Sequence, residues 1–128
     1  MDYMISLYSD ESVEIPGPGE PGFDEMMAEW FAYNQRLIDG GHWVSGASLA
    51  PSFTATTIHK SFGVEATITD GPYAETKEQF GGYYLISAAD LDEAIALAKD
   101  IPIPVGHFEV RPVAFRPDAD GTAPGGQS

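Results

Sequence analysis

Cysteine is absent from the 128 residues, so no disulfide framework, thiol nucleophile, iron–sulfur cluster or cysteine zinc site can form. Cations are scarce: 6 Lys and Arg stand against 20 Asp and Glu, and the formal net charge of -14 sets a repulsive field against phosphate backbones and anionic membranes. Neither nucleic acid nor membrane is therefore expected as a direct partner. No apolar run approaches the roughly 18 to 20 residues that a bilayer span needs. The opening Met1-Asp2-Tyr3-Met4 lacks the basic leader and apolar region of a signal peptide, so a cytoplasmic location is expected. The histidines, His42, His59 and His107, show neither HxH nor HExxH spacing, and no phosphate loop is present, so neither a metal nor a cofactor is expected.

What is present suffices for one core. Hydrophobic residues make up 43% of the chain and aromatics 12%, which fits one domain over residues 1–116 followed by a Gly/Pro-containing disordered tail over 117–128. Tyr3 to Tyr8 reads as a strand inside a sheet, and the acidic Pro/Gly stretch from Ser9 to Gly22 as a loop, a lid over a cavity or a solvated connection. From Phe23 the period changes. Phe23, Met27, Trp30, Asn34 and Leu37 share one helical stripe with Met26, Tyr33 and Ile38 on its flank, and Gly40-Gly41 supplies the stop.

His42 to Leu49 reads as a second strand, and Phe53 to Lys60 with Val64 to Thr69 as a hairpin turning at Ser61-Phe62-Gly63. A polar segment, Ala74 to Phe80, leads through Gly81-Gly82 into the strand Tyr83 to Ile86. Asp90 N-caps a short helix that Pro102 and Pro104 terminate, and the last strand is Phe108 to Phe115, with Pro112 marking an edge or a bulge. Without the hairpin the order is strand, helix, strand, then strand, helix, strand: a ferredoxin-like split βαβ α+β sandwich. Its helices cover one sheet face, and a homodimer packing sheet against sheet would cover the other.

Asp70-Gly71-Pro72-Tyr73-Ala74-Glu75-Thr76-Lys77-Glu78, then Gly81-Gly82-Tyr83-Tyr84, and later Glu109-Val110-Arg111-Pro112, resemble the YCII-related, DGPF-domain family, with Tyr73 where that family usually has Phe. The resemblance covers roughly Tyr3 to Phe115. It implies a dimeric α/β barrel similar in architecture to muconolactone isomerases and to small monooxygenases that carry no cofactor. Relatives of the broader group are read as enzymes from a His-Asp pair, and DGPF proteins are similar to domains near or fused to extracytoplasmic-function sigma factors.

Each candidate residue has a functional and a structural reading. Asp70 can act as a general base or cap its own turn, and His42, favoured over His59, can partner it in proton transfer or sit as a strand-end histidine. Lys77 can order a substrate carboxylate or join a solvated ion-pair cluster with Glu75 and Glu78. Trp43 and Tyr83, with Tyr73, Trp30 and Tyr84, can line a pocket for a flat ligand or fill the core. Arg111 can clamp a carboxylate or pair with an acid of the sheet around Glu109. The leading expectation is a small-molecule-binding dimer, an isomerase- or lyase-like enzyme using Asp70 and His42; the competing one is an interaction module whose acidic surface meets a sigma-factor-type regulator.

Overall fold

Along the first strand, Tyr3, Ile5 and Leu7 are buried while Met4, Ser6 and Tyr8 are half-buried, the period of two that a sheet covered on one face imposes. The computed structural model describes residues 1–124. Its elements are β1 (Asp2–Asp10), α1 (Phe23–Asp39), β2 (Trp43–Ser48), a 3₁₀ turn (Ser52–Thr54), β3 (Thr56–Ser61), β4 (Val64–Asp70), β5 (Glu78–Ser87), α2 (Leu91–Lys99) and β6 (His107–Pro112). The main sheet runs β2-β5-β1-β6, every pair antiparallel, and β3-β4 forms a separate two-stranded sheet. This is the ferredoxin-like α+β order with an inserted hairpin.

The core lies between the helices and one sheet face. Ile5, Leu37 and Ile86 are its most buried large side chains, joined by Tyr33, Tyr84 and the small Ala94 and Ala98 that bring α2 close to the sheet. Trp30 stacks on Tyr84 at 6.4 Å, while Tyr33 and Trp43 meet the same ring edge-on at 5.4 and 6.0 Å. Two phenols tie the layers together. Tyr33 Oη donates to the Leu97 carbonyl at 2.8 Å, joining the helices, and Tyr84 Oη donates to Asn34 Oδ1 at 2.6 Å, joining sheet to α1. Burial pushes the Tyr84 hydroxyl up to about 12 and raises that of Tyr33 as well. At the start of α2, Asp90 accepts from the Glu93 N–H at 2.9 Å, the N-cap expected of it, and Glu93 in turn accepts from the Ala89 N–H at 2.9 Å.

Several placements differ from the sequence reading, among them the start of the hairpin, where Phe53 and Thr54 belong to the 3₁₀ turn and β3 begins at Thr56. β5 begins at Glu78, ahead of Gly81-Gly82, which lie inside the strand at a bulge against Leu7 and Tyr8. Gly82 is required there because a Cβ would stand 2.6 Å from the Ala47 carbonyl oxygen of β2. β6 stops at Pro112 on the sheet edge, since proline brings no N–H to continue the ladder, and the Val113 N–H instead reaches the Asp2 carbonyl. Tyr33, expected on the flank of the α1 stripe, is among the most buried residues. Arg116, at the end of the expected domain, pairs with Asp2 at 2.8 Å, and in the segment expected as a tail an Asp118–Thr122 turn follows; residues 125–128 lie outside the described region.

Gly82→Ala should cost about 1 to 3 kcal/mol in urea denaturation by overpacking the β2–β5 contact, whereas Gly81→Ala, with no atom closer than 4.0 Å to the added carbon, should change little. Because the native Tyr84 pKa is raised, its contribution is complete below the unfolded value near 10 and is lost as pH rises toward about 12. Tyr84→Phe should therefore lower stability at pH 7 by about 1 to 2 kcal/mol through the orphaned Asn34 oxygen. It should also flatten the loss of stability above pH 10, read by denaturation at stepped alkaline pH.

Candidate functional site

Register determines what faces away from the helices. Met4 opposes Leu85 and Ser6 opposes Tyr83, and past the bulge Tyr8 opposes Phe80, their rings 5.7 Å apart. On β6 the same side carries Arg111 opposite Met4, Glu109 opposite Ser6 and His107 opposite Tyr8. None of these residues is buried. The outward face thus has an uncharged centre of Met4, Tyr8, Tyr83, Leu85 and Phe80, bordered along β6 by ionisable side chains.

Two pairs form that border. His107 Nδ1 lies 2.7 Å from the Glu78 carboxylate, and Arg111 Nη2 lies 2.6 Å from Glu109 Oε1. A carboxylate of Glu78 only accepts, so Nδ1 carries a proton, and whenever the ring is neutral it is Nε2 that presents a lone pair able to take one. Arg111 keeps further N–H donors beyond those aimed at Glu109, enough to meet an acidic ligand group. Glu78 and His107 meet because β5 and β6 both run antiparallel to β1, so both start where β1 ends.

The motif segment lies at the same end of the sheet. Gly71, at φ +101°, makes the turn after β4, its N–H donating to the Ala55 carbonyl and its carbonyl accepting from Thr57 Oγ1. The Asp70 carboxylate is exposed and takes no hydrogen bond or ion pair among the described residues, so the turn is closed by backbone and Thr57 instead. Pro72, Glu75, Thr76 and Lys77 form one wall of an open cleft of about 350 Å³. The other wall is Asp10, Glu11, Ser12, Ser52 and Phe53, with Glu11 holding the Ser52 N–H at 2.7 Å. The Ser12 hydroxyl and N–H hold the Asp10 carboxyl below the usual carboxylate range, with the Lys77 charge adding to them. A second groove of about 410 Å³, between the start of α1 and Pro102–Pro104, contains Glu25 and Glu29 and no histidine.

The candidate residues separate accordingly. His42 does not meet Asp70: its Nδ1 donates to the Ser87 carbonyl at 2.8 Å and lies 3.8 Å from Glu93, at the far end of β5 from the motif segment. Trp43 packs in the core against Tyr84, while Tyr83 faces outward. Tyr73 is exposed beside the cleft, Lys77 lines it, and Arg111 stands on the outward face. His59 lies on the exposed hairpin.

The YCII-related domain profile matches residues 1–115. The chain belongs to the YCII-related family. It is similar to an uncharacterised protein of Rhizobium meliloti (strain 1021), with 38% identity over 118 residues that cover 90% of this chain and 94% of the relative. This YCII-related domain has no helix among its described residues long and apolar enough to cross a membrane, and no cluster of three or more His, Asp or Glu side chains able to hold a metal.

The His107–Glu78 contact has a direct spectroscopic consequence. In nitrogen-15 spectra at a pH where the ring is neutral, His107 should be the Nδ1–H tautomer, and Glu78→Ala should shift it toward the Nε2–H form. A ring already in the Nε2–H form in the unmodified protein would show that the contact is not made in solution.

Proposed function

We propose that this YCII-related protein binds a small organic acid as a cytoplasmic homodimer and moves a proton on it without a cofactor, residues 1–116 being the working unit. The observation that carries the reading is the histidine–carboxylate pair, His107 and Glu78 at 2.7 Å, standing beside an uncharged aromatic surface. His107 Nε2 takes a proton from a ligand carbon next to a carbonyl and returns it to another atom of the same molecule, an isomerase-type step that conserves atoms and charge. Tyr83, Tyr8 and Phe80 offer flat contact area, and Arg111 meets the ligand's acidic group.

A second copy of the chain covers the outward face, excluding the water that would otherwise weaken these contacts. Tyr73 and Lys77, on the exposed motif segment that leads into β5, offer further ligand contacts, and Asp70 offers a carboxylate with no side-chain partner among the described residues. His42 and Trp43 hold structure in this reading, one anchoring the end of β5 to α2 and the other packing on Tyr84. The net charge of -14 favours a second reading, in which the acidic surface docks a basic partner such as a sigma-factor-type regulator.

The test pairs binding with exchange. A thermal-shift screen of small carboxylic acids, lactones and aromatic acids should find a ligand that, at 100 times its Kd, adds about 2.7 kcal/mol and raises Tm by roughly 10 °C. Arg111→Ala should abolish that rise. In D2O the protein should catalyse deuterium incorporation into the ligand, followed by proton NMR, and His107→Gln should slow it at least about a hundredfold while keeping the thermal shift. Exchange that survives His107→Gln would overturn the assignment of the base. Silence across the screen, together with capture of a basic protein that is released as salt rises, would favour the second reading.

A further inference from the structure

The main sheet ends in two edges of different character. β6 carries His107, Glu109, Arg111 and Pro112, the charges and proline that keep an edge strand from pairing, whereas β2, from Trp43 to Ser48, has neither. Past the bulge between Trp43 and Ser45, the Ala47 carbonyl points toward Gly82 and the Leu49 N–H donates to the Gly81 carbonyl, so both residues turn their backbone groups to β5. By alternation Gly46 and Ser48 turn theirs to the open side, where no strand pairs with them among the described residues. The helix above has an open side as well. Tyr33 and Arg36 set one flank of α1 toward α2, and the other carries Met27, Phe31, Asn34 and Ile38 at helical spacing, with Phe31 63% and Ile38 51% exposed.

We propose that two copies of this chain join edge to edge, β2 against β2, in an antiparallel two-fold contact that also packs their α1 flanks together. The contact does not use the outward sheet face, so it stands apart from the homodimer proposed above. Charge selects a second copy as the occupant. Two chains at -14 each repel except where charge is least, and Gly40 to His59, which contains β2, is the longest stretch of the chain without Lys, Arg, Asp or Glu. Met27, Phe31, Asn34 and Ile38 are uncharged too. A basic partner would gain more from the carboxylates elsewhere on the surface than from this edge.

The geometry is self-complementary. A two-fold axis at Ala47 sets Gly46 of each copy opposite Ser48 of the other, and each such pair exchanges both of its backbone hydrogen bonds. The contact closes on two copies and removes the open edge. α1 lies over β5 and β2, with Trp30, Tyr33 and Asn34 on Tyr84. Strands about 4.8 Å apart put that helix roughly 5 Å from the axis and the two α1 helices roughly 10 Å from each other, close to the roughly 8 to 10 Å at which helices pack. Phe31 and Ile38, left bare within one copy, are then covered.

The test is sedimentation of the full chain over a range of concentration, with circular dichroism to show that each variant is folded. Ser48→Pro takes away an N–H that no strand pairs within one copy and should weaken the contact at least about tenfold. Phe31→Glu with Ile38→Glu, at two exposed helix positions where glutamate is the better helix former, should weaken it at least about a hundredfold. If both contacts form, the unmodified protein is a tetramer that either variant reduces to the face-to-face dimer. If the edge contact forms alone, it is a dimer that either variant reduces to a monomer, which supports this proposal and overturns the homodimer above. A monomeric unmodified protein would overturn both. An assembly unmoved by either variant would overturn the edge contact and leave the homodimer standing. Weakening by the glutamate pair alone would overturn the strand pairing, and weakening by Ser48→Pro alone the helix contact.

Discussion

A four-stranded antiparallel sheet with both of its helices on one side must dispose of its other side, and this constraint organises the molecule. Tyr3, Ile5 and Leu7 on β1 and Tyr84 and Ile86 on β5 fill the covered side, so the intervening residues are committed to the opposite one by the period of two. Those residues are Met4, Tyr8, Tyr83 and Leu85, too apolar for a purely solvated face and too sparsely neighboured to be buried within one chain. The covered side is finished by polar contacts. Tyr33 and Tyr84 are phenols in an apolar layer, and each has found an acceptor on a neighbouring element. Among the described residues no buried side-chain oxygen or nitrogen lacks a partner, so the core leaves no polar group over for chemistry.

Most of the fold was legible because its signals are local. The Phe23–Asp39 helix, the Asp90 cap, the hairpin and the β-α-β order each follow from residues within one or two turns of chain. What was misread depended on neighbours distant in sequence. Gly81-Gly82 resembles a connection, yet Gly82 is a strand residue whose missing side chain makes room for the Ala47 carbonyl. On a helical wheel Tyr33 lies at the edge of the apolar stripe; its burial depends on α2, which brings the Leu97 carbonyl to its hydroxyl.

The candidate site shows the same division. Asp70 stands out in the sequence because its motif is compact, and His42 is its expected partner only because an imidazole oriented by a carboxylate moves protons near neutral pH. The strand order separates them to opposite ends of β5. The pairing that does form, Glu78 with His107, was recoverable from topology: in a split βαβ order the third and fourth core strands both start at the end of the first. Their first residues therefore flank it, and those residues are Glu78 and His107. Register, more than composition, was the missing step.

Charge links these features. With -14 distributed over 128 residues, most of the surface repels a second copy, a nucleic acid and any anionic ligand alike. Where cations do occur they are largely spoken for: Arg36 reaches toward Asp100, Arg111 meets Glu109 and Arg116 meets Asp2. An acidic ligand therefore gains most where an arginine stands at the margin of an uncharged surface rather than within the carboxylate-rich cleft beside Lys77. That margin is β6, where Arg111 and His107 are two pairs of residues apart along one side of the strand. The uncharged centre of the outward face, at the β6 margin, is thus the place where self-association, anion binding and a proton-accepting imidazole can coincide.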